Sequence, residues 1–408
     1  SQHFSIGQAM AIIGLAICLF FAPLSRALVS LGTGLLGLSL IIQLTEKKIK
    51  LKSSWWIAVL PAALLILLSF LHSIFGSSQV DWTMVLLYLP LLLIPIAISG
   101  LRLDHPWIRI IFLITILIFA GFAASSSIRY LLNPDKINEA LLQSKHVPLT
   151  TKMHHIYFGL YLGVLAWIGA YYARNTKLKS YRIAIWTGVV VLLVCLHVLS
   201  SRTGLLAFYF SIGVFSLQIL LGSTSTRTKL IMITAALLVP TIAVMTIPSI
   251  KYKIQNTKED LVVLSEGGEE VNFKSMSMRV ESWKASWTSI KKNWVWGIGD
   301  ADFKKELYKA YEANDSKLLP ENRIAPHNQF LETWMRYGIF ASLALLSLFV
   351  LPLLWKRDQR VSWFWPLWML LFSSFMVESV LQRQMGIILF SIAYFLFYNM
   401  NVKQRSSS

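Results

Sequence analysis

The sequence predicts an all-α polytopic membrane protein with about 12 transmembrane helices and one large polar loop, on three observations. First, 55% of the 408 residues are hydrophobic and 14% charged, and the mean hydropathy of +0.59 lies outside the range of a soluble domain. Second, apolar stretches of the ~17 to 25 residues that a helix needs to cross the hydrocarbon core recur from end to end. Third, Lys and Arg concentrate in alternate connections, the pattern of loops retained on the cytoplasmic side.

Taken in chain order, the spans are expected at 6–23, 27–44, 55–75, 83–99, 108–128, 154–173, 183–199, 204–222, 230–247, 328–354, 362–380 and 385–400. The first has no basic n-region and no small-residue cleavage site before the next span, so it reads as a true helix. With the N-terminus inside, the inner connections at 46–52, 102–109, 174–182, 227–229, 356–360 and 403–405 carry 17 bases against three acids, a net +14 of the formal +18. The basicity is therefore mostly a topology signal, and nucleic acid need not be invoked. Cys18 and Cys195 fall inside spans and no Cys-x-x-Cys occurs, so neither a disulfide framework nor a thiol zinc site is indicated.

The chain thus divides into spans one to nine over 1–247, a large outer loop over 248–327, and spans ten to twelve with a cytoplasmic tail over 328–408. The loop holds 13 bases and 12 acids, which makes it no polybasic lipid-binding patch, and a loop of that length is uncommon unless functional. Within "MSMRVESWKASWTSIKKNW", Val280, Trp283, Trp287 and Ile290 recur at helical spacing, predicting an amphipathic helix with a Trp-rich stripe. Phe303, Leu307 and Tyr311 predict a second short helix, and Gly297 and Gly299 a turn between the two. "LSEGGEEVNFKS" is expected to be mobile, and "NPDKINEALL" in the smaller outer loop at 129–153 to form another short helix.

Charged groups in or beside spans are costly and mark either function or a buried pair. Arg202, in "HVLSSRTGLLAF", enters a helix at the outer face with Ser200 and Ser201 available as N-caps. It reads either as a snorkelling side chain or as an anion site, since guanidinium offers phosphate a planar fork of donors. Arg279 opens the Trp-rich helix, where a solvated arginine is the ordinary reading. His327 follows Pro326 and precedes a long apolar run, so it stands near a helix N-terminus, a place that disfavours imidazolium and favours bound anions. Boundary residue, metal ligand and general base are its three readings, and no His or carboxylate at useful spacing supports the metal. Glu332 and Arg336 have the spacing of a helical ion pair. His154 and His155, adjacent and so about 100° apart on a helix, make a poor chelate and an interfacial pair. Glu378, Gln382 and Arg383 end the penultimate span on the same side. The conspicuous polar residues gather at the outer mouth, and no path of acids leads inward as a proton-coupled transporter would need.

Three motifs now resemble the O-antigen ligase and O-antigen polymerase superfamily, over roughly 154–345. "SSRTGLLAF" is similar to its Ser-Arg-x-Gly at a helix entrance. "MRVESWKASWTSIKKNWVWGIGDADF" is similar to its Arg-x-x-x-Trp helix followed by Gly-x-Gly-x-x-x-Phe, and "HNQFLETWMRYGIFASL" to its His-Asn-x-x-Leu-Glu at a helix start with a Gly beyond. The resemblance implies a type C glycosyltransferase-like membrane fold and an inverting, metal-independent transfer of O-antigen glycan without a cofactor. The donor would be undecaprenyl pyrophosphate glycan on the periplasmic face of a bacterial inner membrane, and both termini would be cytoplasmic. The acceptor would be a lipid A-core sugar hydroxyl in the ligase branch, the closer of the two, and a lipid-linked repeat in the polymerase branch. Arg202 and Arg279 would then hold the pyrophosphate and stabilise its developing charge, and His327 would accept the hydroxyl proton or bind substrate. Asn328, His154, His155 and Trp283 are the further candidates for substrate binding. A protein O-oligosaccharyltransferase and a lipid-linked glycan transporter are the rival readings.

Overall fold

Hydrocarbon offers the backbone no hydrogen-bond partner, so long apolar runs close their hydrogen bonds within helices. The structure, a computed structural model, describes residues 5–47, 49, 53–75, 80–99, 101, 105–143, 145–266, 269–354 and 363–403. Every described element is helical: α1 (Ile6–Phe20), α2 (Arg26–Thr45), α3 (Ser53–Phe75), α4 (Thr83–Tyr88), α5 (Pro90–Ala97), α6 (Pro106–Leu132), α7 (Pro134–Leu142), α8 (His155–Asn175), α9 (Lys179–Val198), α10 (Arg202–Leu221), α11 (Thr226–Thr246), α12 (Pro248–Glu266), α13 (Ser275–Lys292), α14 (Asp300–Ala313), α15 (Gln329–Leu354), α16 (Phe364–Val377) and α17 (Gln384–Lys403), with short 3-10 turns between some of them.

Seven of these, α2, α6, α8, α9, α10, α11 and α15, are long and apolar enough to cross a membrane, and shorter apolar helices occupy the other five expected windows. The chain is therefore a multi-pass membrane protein. Of the inner connections, Lys48, Lys50, Lys52, Arg102, Asp104, Lys356, Arg357, Asp358, Arg360 and Arg405 lie outside the described residues. The window at 83–99 is split into α4 and α5 where Pro90 takes the first position of a new helix.

One helix is the post of the bundle. α8 is 94% buried whereas α11 is 6% buried, so α8 is enclosed by protein and α11 faces outward. α8 packs against α6, α9, α10, α16 and α17. Its crossing with α10 is close because Gly159 meets Gly204, where an added Cβ would lie 2.8 to 3.0 Å from the Gly159 backbone.

At one end of the bundle α12, α13 and α14 form a cap with its own core of Val263, Ala285, Ile290, Phe303, Leu307 and Tyr311, joined by Met335 of α15. The buried face of α13 is Ser277, Ser282, Ala285, Ser286, Ser289 and Ile290, and Trp287 is 43% exposed, so the Trp stripe flanks the packed face. Small side chains let α13 approach α12, α14 and α15 closely, and the wide indoles are left to the margin. In the stretch expected to be mobile, Gly267 and Gly268 lie outside the described residues, and a 3-10 turn follows at Glu269–Phe273, where the Asn272 amide donates to the Lys317 carbonyl (3.0 Å) and accepts from the Leu319 N–H (2.7 Å). The α13 N-terminus is closed by buried Asp260, whose carboxylate accepts from the backbone of Met276 and Ser277 at 2.6 and 2.9 Å.

α15 is two helical pieces. Gly338 breaks it at φ 77°, ψ −174°, and the segment 294–299 crosses the break. Ile298 and Gly299 donate to the carbonyls of Met335 and Arg336 (3.0 and 2.8 Å), and Ile339 donates back to Trp294 (3.0 Å). Gly297, at φ 76°, stands where a Cβ would sit 2.5 Å from the Arg336 carbonyl oxygen. Beside this crossing Arg336 pairs with Glu332 at 2.7 Å and with Asp300 at 2.9 Å. The three side chains are 10%, 2% and 3% exposed, and the guanidinium lies 3.7 Å over the Phe303 ring. The Glu332–Arg336 helical pair is present, and Asp300 makes it a triad. Burial pushes the Asp300 carboxyl up despite the lowering effect of Arg336 and the Tyr337 hydroxyl.

Gly338→Ala meets left-handed strain of about 1–2 kcal/mol and a collision with the Val295 carbonyl; a lowered melting temperature of the detergent-solubilised protein is the expected result. Arg336→Met leaves two buried carboxylates facing each other without their cation, and thermal unfolding should report a loss of about 3–5 kcal/mol.

Candidate active site

The two halves of the candidate site lie where the ends of α8, α10 and α16, the start of α15 and the cap helices α12 and α13 converge. Arg202 is the first residue of α10, and the turn before it is strained, with Ser200 at φ 45°, a conformation non-glycine residues rarely hold without a compensating environment. Neither serine caps α10 through its side chain: the Ser201 hydroxyl donates to the His155 carbonyl (3.4 Å). The reason is packing, since Ser201 lies directly over Gly159 of α8. The Arg202 guanidinium donates through Nη2 to the Asn256 side chain (2.5 Å) and the Lys253 carbonyl (3.5 Å) of α12.

Around it is a cavity of about 70 Å³ lined by Lys145, His146, His155, Ser200, Arg202, Lys253 and Arg279, with no carboxylate among its lining residues. Three buried polar atoms on this lining, Arg202 Nε, Ser200 Oγ and His155 Nδ1, have no hydrogen-bond partner. Buried polar atoms are nearly always satisfied, so three in one small basic cavity mark a place built for a hydrogen-bonding guest. The His146 ring stacks on His155 at 4.0 Å. Burial, then the charge of Arg202, pulls the Lys253 ammonium down to about 7. Burial likewise lowers His146, helped by Lys253.

A second cavity of about 690 Å³ lies alongside, lined by His154, Tyr157, His327, Glu378 and Gln382 among others. His327 stands just outside α15 at φ 45°. Asn328 is the capping residue: its Oδ1 accepts from Phe330 and Leu331 (3.0 and 3.1 Å), and its Nδ2 donates to the Met376 carbonyl of α16 (3.0 Å). On the other side the Trp283 indole donates to the Pro326 carbonyl (2.7 Å). The imidazole is thus pinned from both flanks, and its Nδ1 lies 3.0 and 3.1 Å from the two Glu378 oxygens. A carboxylate can only accept, so Nδ1 carries a proton, and in the neutral ring the lone pair is on Nε2. Burial pushes the Glu378 carboxyl up, but the hydrogen bond and charge of His327 and the charge of Arg279 outweigh it and leave Glu378 below the usual carboxylate range.

Arg279 joins the two compartments, lining the small cavity and standing 3.9 Å from Glu378. Burial lowers its guanidinium, opposed by Glu378 and Asp260. Of the residues singled out by sequence, His327 and His154 line the large cavity, Arg202, His155 and Arg279 the small one. Trp283 and Asn328 line neither, and their hydrogen bonds hold the chain around His327. Sequence reasoning missed the pairing of Glu378 and the roles of His146, Lys253 and Ser200; a carboxylate at a span end was the available signal for Glu378. Among the described residues no group of three or more His, Cys, Asp or Glu side chains is placed to hold a metal ion.

Residues 187–346 match the family model described as O-antigen ligase. Over this segment, 160 of the 408 residues, the chain is similar to the O-antigen ligase family. The match runs from α9 into α15 and takes in Arg202, Arg279 and His327, while His154 and Glu378 approach from outside it. No curated protein matches the chain. The match supports membrane glycosyl transfer of the O-antigen ligase and polymerase kind.

Glu378→Gln keeps the shape of its side chain and loses the obligate acceptor. Turnover should fall by about 10- to 100-fold, as for other partners that orient a catalytic imidazole, with donor binding nearly unchanged and partial rescue by Glu378→Asp; steady-state kinetics across pH check this.

Proposed function

We propose that the protein is an inverting, metal-independent glycosyltransferase that moves O-antigen glycan from undecaprenyl pyrophosphate to a lipid A-core sugar hydroxyl. In this reading the cap end of the bundle faces the periplasm of a bacterial inner membrane, both termini are cytoplasmic, and no cofactor takes part. The observation that carries it is the small basic cavity with three unsatisfied polar atoms, next to an imidazole whose proton-bearing nitrogen is fixed by a carboxylate.

The pyrophosphate occupies the small cavity, where Arg202 Nε, Arg279 and the Ser200 hydroxyl donate to its oxygens. The acceptor hydroxyl enters the large cavity against His327. As its oxygen forms a bond to the anomeric carbon, the bond from that carbon to the pyrophosphate oxygen breaks with its electron pair, and the hydroxyl proton passes to His327 Nε2. Attack and departure on opposite faces of the sugar invert the anomeric centre. Glu378 stabilises the imidazolium that results, and fixed guanidiniums stabilise the growing phosphate charge by a few kcal/mol each (roughly 2.7–4). His154, His155 and Trp283 serve binding, His154 on the acceptor side and His155 on the donor side, with Trp283 and Asn328 acting through the segment that carries His327.

The purified protein, reconstituted with undecaprenyl pyrophosphate glycan and lipid A-core, is expected to form a glycosylated acceptor; product with lipid-linked repeats alone would assign it to the polymerase branch instead. Arg202→Ala and Arg279→Ala should lower turnover by about 10²- to 10³-fold and weaken donor binding. His327→Ala should retain donor binding and lose about 10²- to 10⁴-fold in turnover; lost donor binding would make it a binder and not the base. A Lys253 ammonium that titrates near 7 is charged below that pH and neutral above it. Donor affinity should therefore fall as pH rises through about 7 and approach a level set by the two arginines, and Lys253→Gln should remove that slope in a titration by fluorescence or calorimetry.

A further inference from the structure

The end of α13 and the segment after it present a surface that neither cavity uses. Lys291 and Lys292 close the helix, Asn293 caps it, and Trp294 and Trp296 follow. The two indoles are 56% and 68% exposed, yet the backbone that carries them is bound on three sides. The Trp294 carbonyl accepts from the Ile339 N–H (3.0 Å) and from the Trp334 indole (2.9 Å). His72 of α3 donates through Nε2 to the Trp296 carbonyl, and Ile298 and Gly299 donate to α15. A fixed backbone therefore holds two large, mostly apolar side chains outward, as at a surface that something covers. Exposed Trp287 lies one turn before Lys291 and so on the same face of α13, its ring edge-on to Trp334 at 5.7 Å.

The neighbours of these side chains say what covers them. The Trp296 ring lies 6.5 Å from that of Phe340, two positions past the break at Gly338. Phe340 and Leu343 are exposed on a helix long and apolar enough to cross a membrane, so this flank of α15 faces lipid. On α3, which packs against α15, Phe70 and the terminal Phe75 are exposed as well. The indoles thus continue a lipid-facing surface at its cap end, where hydrocarbon gives way to headgroups and Trp, apolar in its ring and polar at its N–H, is enriched. Lys284 and Lys309 of the same cap pair with Glu281 and Glu306. Lys291 and Lys292 are exposed, and among the described residues no carboxylate pairs with either. Lysines in a last turn complement the helix dipole, which explains their place on α13 but not the indoles beside them. From this juxtaposition we infer that the end of α13 and the Trp294–Trp296 segment form an anchor for anionic phospholipid, the indoles in the headgroup layer of the bilayer that the spans cross and the phosphates on Lys291 and Lys292. The anchor would hold α13 about 20 Å along its axis from Arg279. It requires nothing of the transfer reaction.

The test is fluorine NMR of the full-length protein, labelled with 5-fluorotryptophan, in phosphatidylcholine nanodiscs. Trp294→Phe and Trp296→Phe assign the two resonances, and the remaining indoles report that each variant keeps the fold. Both resonances should broaden more with a lipid that carries a nitroxide at the top of its acyl chain than with a water-soluble gadolinium chelate. The reverse order, with the indoles in water, would overturn the inference and leave this face to a protein partner. Charge selection is read at the same two positions by comparing nitroxide-labelled phosphatidylglycerol with equally labelled phosphatidylcholine. The anionic label should broaden them several-fold more, since each lysine beside an anionic surface is worth about fivefold in local lipid concentration, and the excess should shrink as salt rises. The double variant Lys291→Gln, Lys292→Gln should remove that excess and keep the broadening by labelled phosphatidylcholine. Equal broadening by the two labels in the unsubstituted protein, or an excess that survives the double variant, would each overturn the inference.

Discussion

The buried triad of Arg336 with Glu332 and Asp300 is the constraint on which the site depends. Two carboxylates and a guanidinium removed from water are stable only together, and they come from two elements, α14 and α15. Their union holds the segment 294–299 across the break at Gly338 and so fixes the direction of the front half of α15. The second oxygen of Glu332 accepts from the Ser379 hydroxyl at 2.5 Å, and Gln329 accepts from the Leu381 N–H at 2.7 Å. The turn after α16 is thereby bound to the same half-helix that His327 precedes, and Glu378, the neighbour of Ser379, arrives at the imidazole. A structural ion network thus reaches the His327–Glu378 pair through one hydroxyl.

The geometry separates two electrostatic tasks that a single open cleft would confuse. The small cavity is basic without a carboxylate in its lining, so it suits an anion; the large one contains Glu378, which would repel a pyrophosphate at His327. Arg279 sits at the boundary and takes part in both, close enough to Glu378 to offset its charge and exposed to the small cavity on the other side. Two of the four positive-φ non-glycine residues among those described lie at the same places. Ser200 and His327 both hold φ near 45°, one ahead of Arg202 and the other at the imidazole itself, and the packing around each, Gly159 under Ser201 and Trp283 against Pro326, is what maintains it.

Much of this was legible in the sequence because membranes make polarity informative. Apolar windows located the helices, and Arg202, Arg279 and His327 stood out because charge beside a span is expensive. The glycines of the three motifs were visible as letters, but their use was not: Gly204 meets Gly159 from α8, and Gly297 crosses Gly338, contacts between segments roughly 40 residues apart that no local periodicity encodes. The packed face of α13 was hidden for a related reason. Hydrophobicity ranks indole above serine, whereas close packing of three cap helices favours the smaller side chain. Glu378 was read as a span end, since its partner is 51 positions away. Its pairing with His327 exists only in three dimensions.

His154 and His155 are neighbours in the chain, with rings 4.3 Å apart, yet one faces the large cavity and the other the small one. The start of α8 is therefore the partition between the two compartments, and α8 is the most enclosed of the seven long apolar helices. The wall between the two cavities is consequently one step of a single enclosed helix, and not the softer packing of the cap above it.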